Sequence, residues 1–192
     1  MSIDQQFLAA LAEIFPDRPI EECYDIDDRD RFHIRENSQG RSYIVPTHND
    51  ESFPSFIIIN SQAPKPIHFL ALDSCFFPDS DSDAGRRSDC MVFNNQTLCF
   101  AELKLNVTSN NDNTRCDRAE EAMKQLGATI DFFQTKFKEN SQDFMNLGFT
   151  YEAYIVFRSE KYPRDTSSRK NRKVKFAQQY GVKLEEKNIK EF

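Results

Sequence analysis

Residues 89–104 read Asp-Cys-Met-Val-Phe, Asn-Asn-Gln-Thr, Leu-Cys-Phe-Ala-Glu-Leu-Lys, and no other stretch constrains the fold as much. Two apolar, β-prone runs on either side of a short polar turn predict an antiparallel hairpin. If Phe93 pairs with Leu98, or Asn94 with Thr97, all paired residue numbers add to 191, and Asp89 faces Glu102. Opposed residues have Cβ atoms about 5 Å apart on one face of the sheet, and Lys104, two residues beyond Glu102, shares that face. Two carboxylates and an ammonium therefore converge. Like charges at that distance repel by roughly 1 kcal/mol in water and several times more in a partly dry site, so the pair calls for a cation. A hard divalent ion, Mg²⁺ with Mn²⁺ as a substitute, takes carboxylate oxygens and keeps waters and phosphate as its other ligands. Such an ion generates hydroxide, while Lys104 orients the nucleophile or neutralises developing charge.

The rest of the chain frames this hairpin. Apolar Phe7, Leu8, Leu11, Ile14 and Phe15 fall on one stripe after an N-cap candidate at Asp4, and Pro16 stops the pattern, which predicts an amphipathic first helix. Residues 18–51 are acidic and polar, with a short strand expected at 42–45 and no motif. Residues 55–60 and 67–77 are β-rich, separated by Ala63-Pro64-Lys65-Pro66, and 78–87 reads as a Ser/Asp/Gly linker. Over 118–138, Ala119, Ala122, Met123, Leu126, Ile130, Phe133 and Phe137 share one face of a second helix, despite Gly127. A strand is expected at 151–157 and a helix at 174–180, with Gly181 as its terminator. A helix, three strands, a helix and a strand in this order make an α/β or α+β chain.

Composition bounds the answer. The 192 residues suffice for one compact domain and a modest extension, and 18 Phe can supply a real core. No apolar run approaches membrane-spanning length and the first ten residues lack the pattern of a secretory signal, so a soluble, cytoplasmic protein with no membrane partner is expected. The five cysteines are widely spaced and never form a CxxC pair, and they read as buried reduced thiols rather than disulfides or metal ligands. His33, His48 and His68 have no paired spacing and read as structural or surface residues. Residues 1–100 carry a net charge of −9 and residues 101–192 a net of +3. Within the latter, residues 158–175 hold eight basic side chains against Glu160 and Asp165, a patch suited to a polyanion through Arg169, Lys170, Arg172 and Lys173.

Asp89, the hairpin, Glu102-Leu103-Lys104 and the helix that follows resemble the core of the PD-(D/E)XK nuclease superfamily over roughly residues 67–158. The resemblance implies an α/β fold with a restriction-endonuclease-like mixed four-stranded sheet flanked by helices. It also implies Asp89 and Glu102 as Mg²⁺ ligands and Lys104 as the catalytic lysine. A third acid stays open between Asp73, set in an apolar run, Asp79 of the literal Pro-Asp pair, and Glu13 of the first helix, with Asp73 preferred. Residues 1–158 then form a nuclease domain with an acidic N-terminal elaboration, and 159–192 a basic appendage. The expected activity is Mg²⁺-dependent hydrolysis of nucleic acid, DNA ahead of RNA, in a free enzyme, a homodimer or a partner-activated effector of a restriction or anti-phage system. The alternative is a catalytically silent adaptor of the same fold that docks on a larger protein through its acidic half.

Overall fold

The structure is a computed structural model, and it describes residues 1–46, 53–77, 87–164 and 166–192. In chain order the elements are α1 (Ile3–Ile14), α2 (Ile20–Cys23), β1 (Tyr24–Asp27), β2 (Arg31–Glu36), β3 (Ser42–Ile44), β4 (Phe56–Ile59), β5 (Ile67–Ala71), β6 (Cys90–Phe93), β7 (Thr97–Lys104), α3 (Asp112–Glu139), β8 (Thr150–Phe157), α4 (Thr166–Tyr180), β9 (Lys183–Glu186) and β10 (Ile189–Glu191). They build two mixed sheets flanked by helices. The larger runs β1-β5-β6-β7-β8-β9, antiparallel as far as β7 and parallel from there, and the smaller runs β10-β4-β2-β3.

The expected hairpin forms with the expected register. Cys90 pairs with Ala101 and Phe93 with Leu98. Because β8 runs parallel to β7, the chain between them must cross over a sheet face, and the 28-residue α3 does so. Alternation along β7 turns Phe100, Glu102 and Lys104 toward α3, where Phe100 meets Phe133 and the Lys104 ammonium meets Gln125. The other face carries the small sheet, joined by Tyr154 against Phe56 and by an ion pair from Lys190 to Glu152 at 2.9 Å.

The phenylalanines fill the helical side. Phe7 of α1 stands edge-on to Phe93 and Phe149, while Phe15 reaches Phe76 and Phe133. Each such ring taken out of water contributes about 1.5–3 kcal/mol, so α1 is held mainly by this stripe. The N-cap of α1 is Ser2 rather than Asp4. Asp4 lies inside the first turn, and its carboxylate accepts from His68 Nε2 at 2.9 Å, while Tyr24 Oη meets His68 Nδ1 at 2.6 Å. His68 is thus a structural tie between α1, β1 and β5; His33 bonds Ser55, and His48 lies outside the described residues. Gly127 has a reason to interrupt α3: a Cβ there would lie 2.2 Å from Tyr180 Oη, so the glycine lets α4 close on α3. Gly181 ends α4 as expected, with φ +68°.

Three expectations are corrected. Residues 18–46 form α2 and strands β1, β2 and β3 rather than one short strand, because polar residues interleave with apolar ones in β1 and β2, with Asp27 and His33 buried and Ile26 exposed, and the composition masks them. Residues 159–192 are no appendage, since β9 completes one sheet and β10 the other. Nor are all cysteines reduced: Cys23 and Cys75 form a disulfide, with Cα atoms 5.7 Å apart, while Cys90, Cys99 and Cys116 are free. Two cysteines 52 positions apart leave no trace in spacing.

The disulfide closes a loop whose entropy in the unfolded chain corresponds to about 4 kcal/mol, so a thiol reductant, or Cys75→Ser, lowers the melting temperature by about 10 °C in a thermal scan. The buried Arg172 guanidinium donates to both oxygens of Glu186, at 2.9 and 3.2 Å, and the Glu186 side chain is wholly covered. Arg172→Ala strips that carboxylate of a partner and costs about 3 kcal/mol, whereas exposed Lys170→Ala stays within about 0.5 kcal/mol by chemical denaturation.

Candidate active site

The carboxyl ends of β7 and β8 lie together because the strands are parallel, with Lys104 opposite Phe157. A cleft of about 530 Å³ opens there between the sheet end and the N-terminal half of α3, lined among others by Glu36, Asp73, Asp89, Glu102, Lys104 and Gln125. Glu102 and Lys104 come from β7. Asp89 stands just before β6, and its carboxylate accepts the Leu103 N–H, which holds it beside Glu102 across the hairpin. The Asp89 carbonyl accepts from Leu72 N–H at 2.9 Å, Asp73 N–H at 3.3 Å and Ser42 Oγ at 2.9 Å, so β5, its following turn and the small sheet converge on this residue.

Burial makes the charges costly. Asp89 and Glu102 are 5% and 2% exposed. Loss of water, then the charge of Glu102, then that of Glu36, push Asp89 well above the usual carboxylate range. Loss of water likewise pushes Glu102 up to about 8, opposed by the Lys104 ammonium and reinforced by Glu36 and Asp73. Glu36 is raised by its own burial, with Lys104 opposing and Asp73 adding. Lys104 Nζ donates to Glu102 Oε1 at 2.6 Å and to Gln125 Oε1 at 2.9 Å. The second Glu102 oxygen, Oε2, is buried without a hydrogen-bond partner. An ammonium has three donors, so Lys104 keeps one for a further acceptor. Among the described residues no group of three or more His, Cys, Asp or Glu side chains stands at ligating spacing, and the compensating cation of this arrangement is Lys104.

The structure thus brings Asp89, Glu102, Lys104 and Asp73 into one cleft. Glu13 is exposed on α1 and away from it, and Asp79 lies outside the described residues. Sequence reasoning missed Glu36, the last residue of β2. Alternation of Phe32 and Ile34 with polar neighbours marks the strand, but nothing local says that its end reaches the hairpin. The basic patch needs correction. Arg172 is buried on Glu186, Arg169 also pairs with Glu186 at 3.0 Å, and Lys173 meets Glu185 at 2.6 Å. These three cations hold α4 against β9. Of the four named for phosphate binding, only Lys170 is exposed.

The sign of the Glu102 shift sets a pH dependence. A carboxyl held protonated by folding contributes its full stability below the unfolded pKa near 4.5, and that contribution drains away as pH rises to about 8. Wild type should therefore lose melting temperature relative to Glu102→Gln between pH 4.5 and 8, with the gap widest above pH 8 and closed near pH 4.5, as read by thermal scans across pH. Compared with protein-family models, with curated proteins and with solved structures, the chain matches none of them significantly.

Proposed function

We propose that this chain is a divalent-metal-dependent phosphodiesterase that hydrolyses nucleic acid on a restriction-endonuclease-like core. The observation that carries the reading is Glu102 Oε2, a buried carboxylate oxygen without a hydrogen-bond partner, beside a second buried carboxyl and the Lys104 ammonium. A folded protein bears the cost of such a pair where a ligand relieves it. A mixed sheet flanked by helices supports the same reading, because the resemblance implies one, although the sheet here has six strands where the resemblance implies four.

The acids at hand, Asp89, Glu102, Asp73 and Glu36, offer carboxylate oxygens, the donor type of Mg²⁺ or Mn²⁺. Asp89 and Glu102 would hold the ion, and Asp73 and Glu36 line the same cleft without completing a three-acid group at ligating spacing. When bound, the ion supplies a Lewis acid for the phosphate and a water of lowered pKa. The chain's own groups do the rest. Leu103 N–H fixes the Asp89 carboxylate, so that acid needs no reorganisation. Gln125 and Glu102 aim the Lys104 ammonium, whose remaining N–H donates to a non-bridging phosphate oxygen and steadies the charge that grows there in the transition state. Glu102, raised to about 8 by burial, would have to lose its proton to hold an ion, so metal affinity is expected to rise with pH up to about 8.

The test is incubation of the purified chain with plasmid, linear and single-stranded DNA and with RNA, in Mg²⁺, Mn²⁺ or EDTA. Cleavage is expected with metal and absent in EDTA. Asp89→Asn, Glu102→Gln and Lys104→Ala each reduce it by at least about 100-fold, and Glu36→Gln by about tenfold. Undiminished cleavage by Glu102→Gln would overturn the assignment, and no cleavage of any substrate favours the silent adaptor.

A further inference from the structure

The turn of residues 72–77, which follows β5, is held differently in its two halves. Phe76 and Phe77 are buried, their N–H groups donate to the Ala71 and Leu72 carbonyls at 3.2 and 2.8 Å, and Arg18 donates to the Phe76 carbonyl at 3.2 Å. That half belongs to the core. In the other half, Asp73 lines the carboxylate cleft, the Ser74 backbone has φ +56°, and Cys75 is half-buried and bonded to Cys23 at the end of α2. A left-handed backbone at a residue other than glycine persists only where its surroundings hold it, and the disulfide supplies such a hold one residue away.

A third segment leans on the same place. The turn of residues 37–41 between β2 and β3 begins directly after Glu36, another acid of the cleft. A Cβ on Gly40 would stand 3.6 Å from Ser74 Oγ, and the Arg41 guanidinium donates to the Glu22 carbonyl of α2. The end of α2, residues 73–75 and the β2–β3 turn therefore support one another, with the disulfide as the lock. Asp73 and Glu36 hang from two of these three segments, whereas Asp89 and Glu102 are fixed by the hairpin itself. The charge of Asp73 reaches both Glu36 and Glu102, so moving it alters the field in the cleft.

We propose that the Cys23–Cys75 disulfide is a redox switch on the cleft: formed, it holds Asp73 and Glu36 beside the hairpin acids, and reduced, it frees residues 73–75 and opens that side of the cleft, so that cleavage falls. This rests on the phosphodiesterase reading and gives that site its regulation. The reductant is a dithiol. One of its thiolates attacks the Cys75 sulfur, since Cys75 is half-buried and Cys23 only 2% exposed; the bond between the two cysteine sulfurs breaks, and Cys23 leaves as a thiolate that takes up a proton. The second thiol then closes on the mixed disulfide and releases Cys75. Two electrons and two protons pass to the cysteines, and the dithiol becomes a disulfide. Phe76 and Phe77 stay anchored, so the release is local.

The experiment compares the full chain oxidised, reduced with dithiothreitol and reoxidised, at room temperature, beside a Cys23→Ser/Cys75→Ser variant under the same three conditions. Two quantities are read: amide hydrogen exchange along the chain, and metal-dependent cleavage of plasmid, single-stranded DNA and RNA. Reduction of wild type should speed exchange in residues 36–42 and 72–75 while β6 and β7 stay protected, and should lower cleavage about tenfold. Reoxidation should restore both. The variant should sit at the reduced level throughout, which assigns the response to the disulfide rather than to Cys90, Cys99 or Cys116. A response that the variant shares, or faster exchange spread evenly over the chain, overturns the switch, the latter because it marks a bond that only stabilises the fold. The two readouts also separate the two readings. Exchange changes confined to those segments, with no cleavage in any state, uphold the redox opening of the cleft and remove the nuclease. Cleavage equal in the oxidised and reduced chain upholds the nuclease and removes the switch.

Discussion

Two carboxyl groups sit in a nearly dry recess at the mouth of a hairpin, and the surrounding structure is organised around keeping them there. Asp89 is held through both its side chain and its carbonyl, with donors from Leu103, Leu72, Asp73 and Ser42. Those donors belong to the hairpin, to β5 and its turn, and to the small sheet, so displacing Asp89 unties three parts of the fold at once. Glu102 is held by the pleat of β7 and by Lys104. The two acids are therefore met by rigidity rather than by separation, and loss of water, more than any neighbouring charge, raises the pKa of both Asp89 and Glu102.

That rigidity comes from the layers. The phenylalanine cluster of α1 and α3 presses on one face of the large sheet, while the small sheet covers the other, so β6 and β7 lie in an interior where a shift of register would move many rings at once. The Cys23–Cys75 disulfide ties the end of α2, next to β1, to the turn that follows Asp73. At the far end of the sheet, the bidentate contact of Arg172 with Glu186 fastens α4 to β9. A cation that looks from composition like a phosphate contact is there a piece of the core, because a buried carboxylate outcompetes solvent for it.

What the chain declares locally, it declares plainly. Period-two alternation around a four-residue turn places Asp89 opposite Glu102 and Lys104 on the same face, and period 3.6 places Ala119, Leu126, Ile130, Phe133 and Phe137 on the buried face of α3. These relations involve residues at most a few turns apart, where backbone geometry alone converts spacing into direction. The acid pair and its lysine were legible for that reason.

Glu36, the Cys23–Cys75 bond and the pairing of Arg169 and Arg172 with Glu186 were not. Each joins segments that no periodicity connects, and each depends on how the small sheet and the C-terminal strands lie on the large one. By itself the sequence determined the hairpin, its register and the carboxylate pair, since hydrogen-bond ladders and side-chain alternation are short-range rules. Only the tertiary structure decided which further acid stands beside that pair and which cations are buried on carboxylates, because those outcomes turn on solvent exclusion between layers, and exclusion is a property of the packed whole.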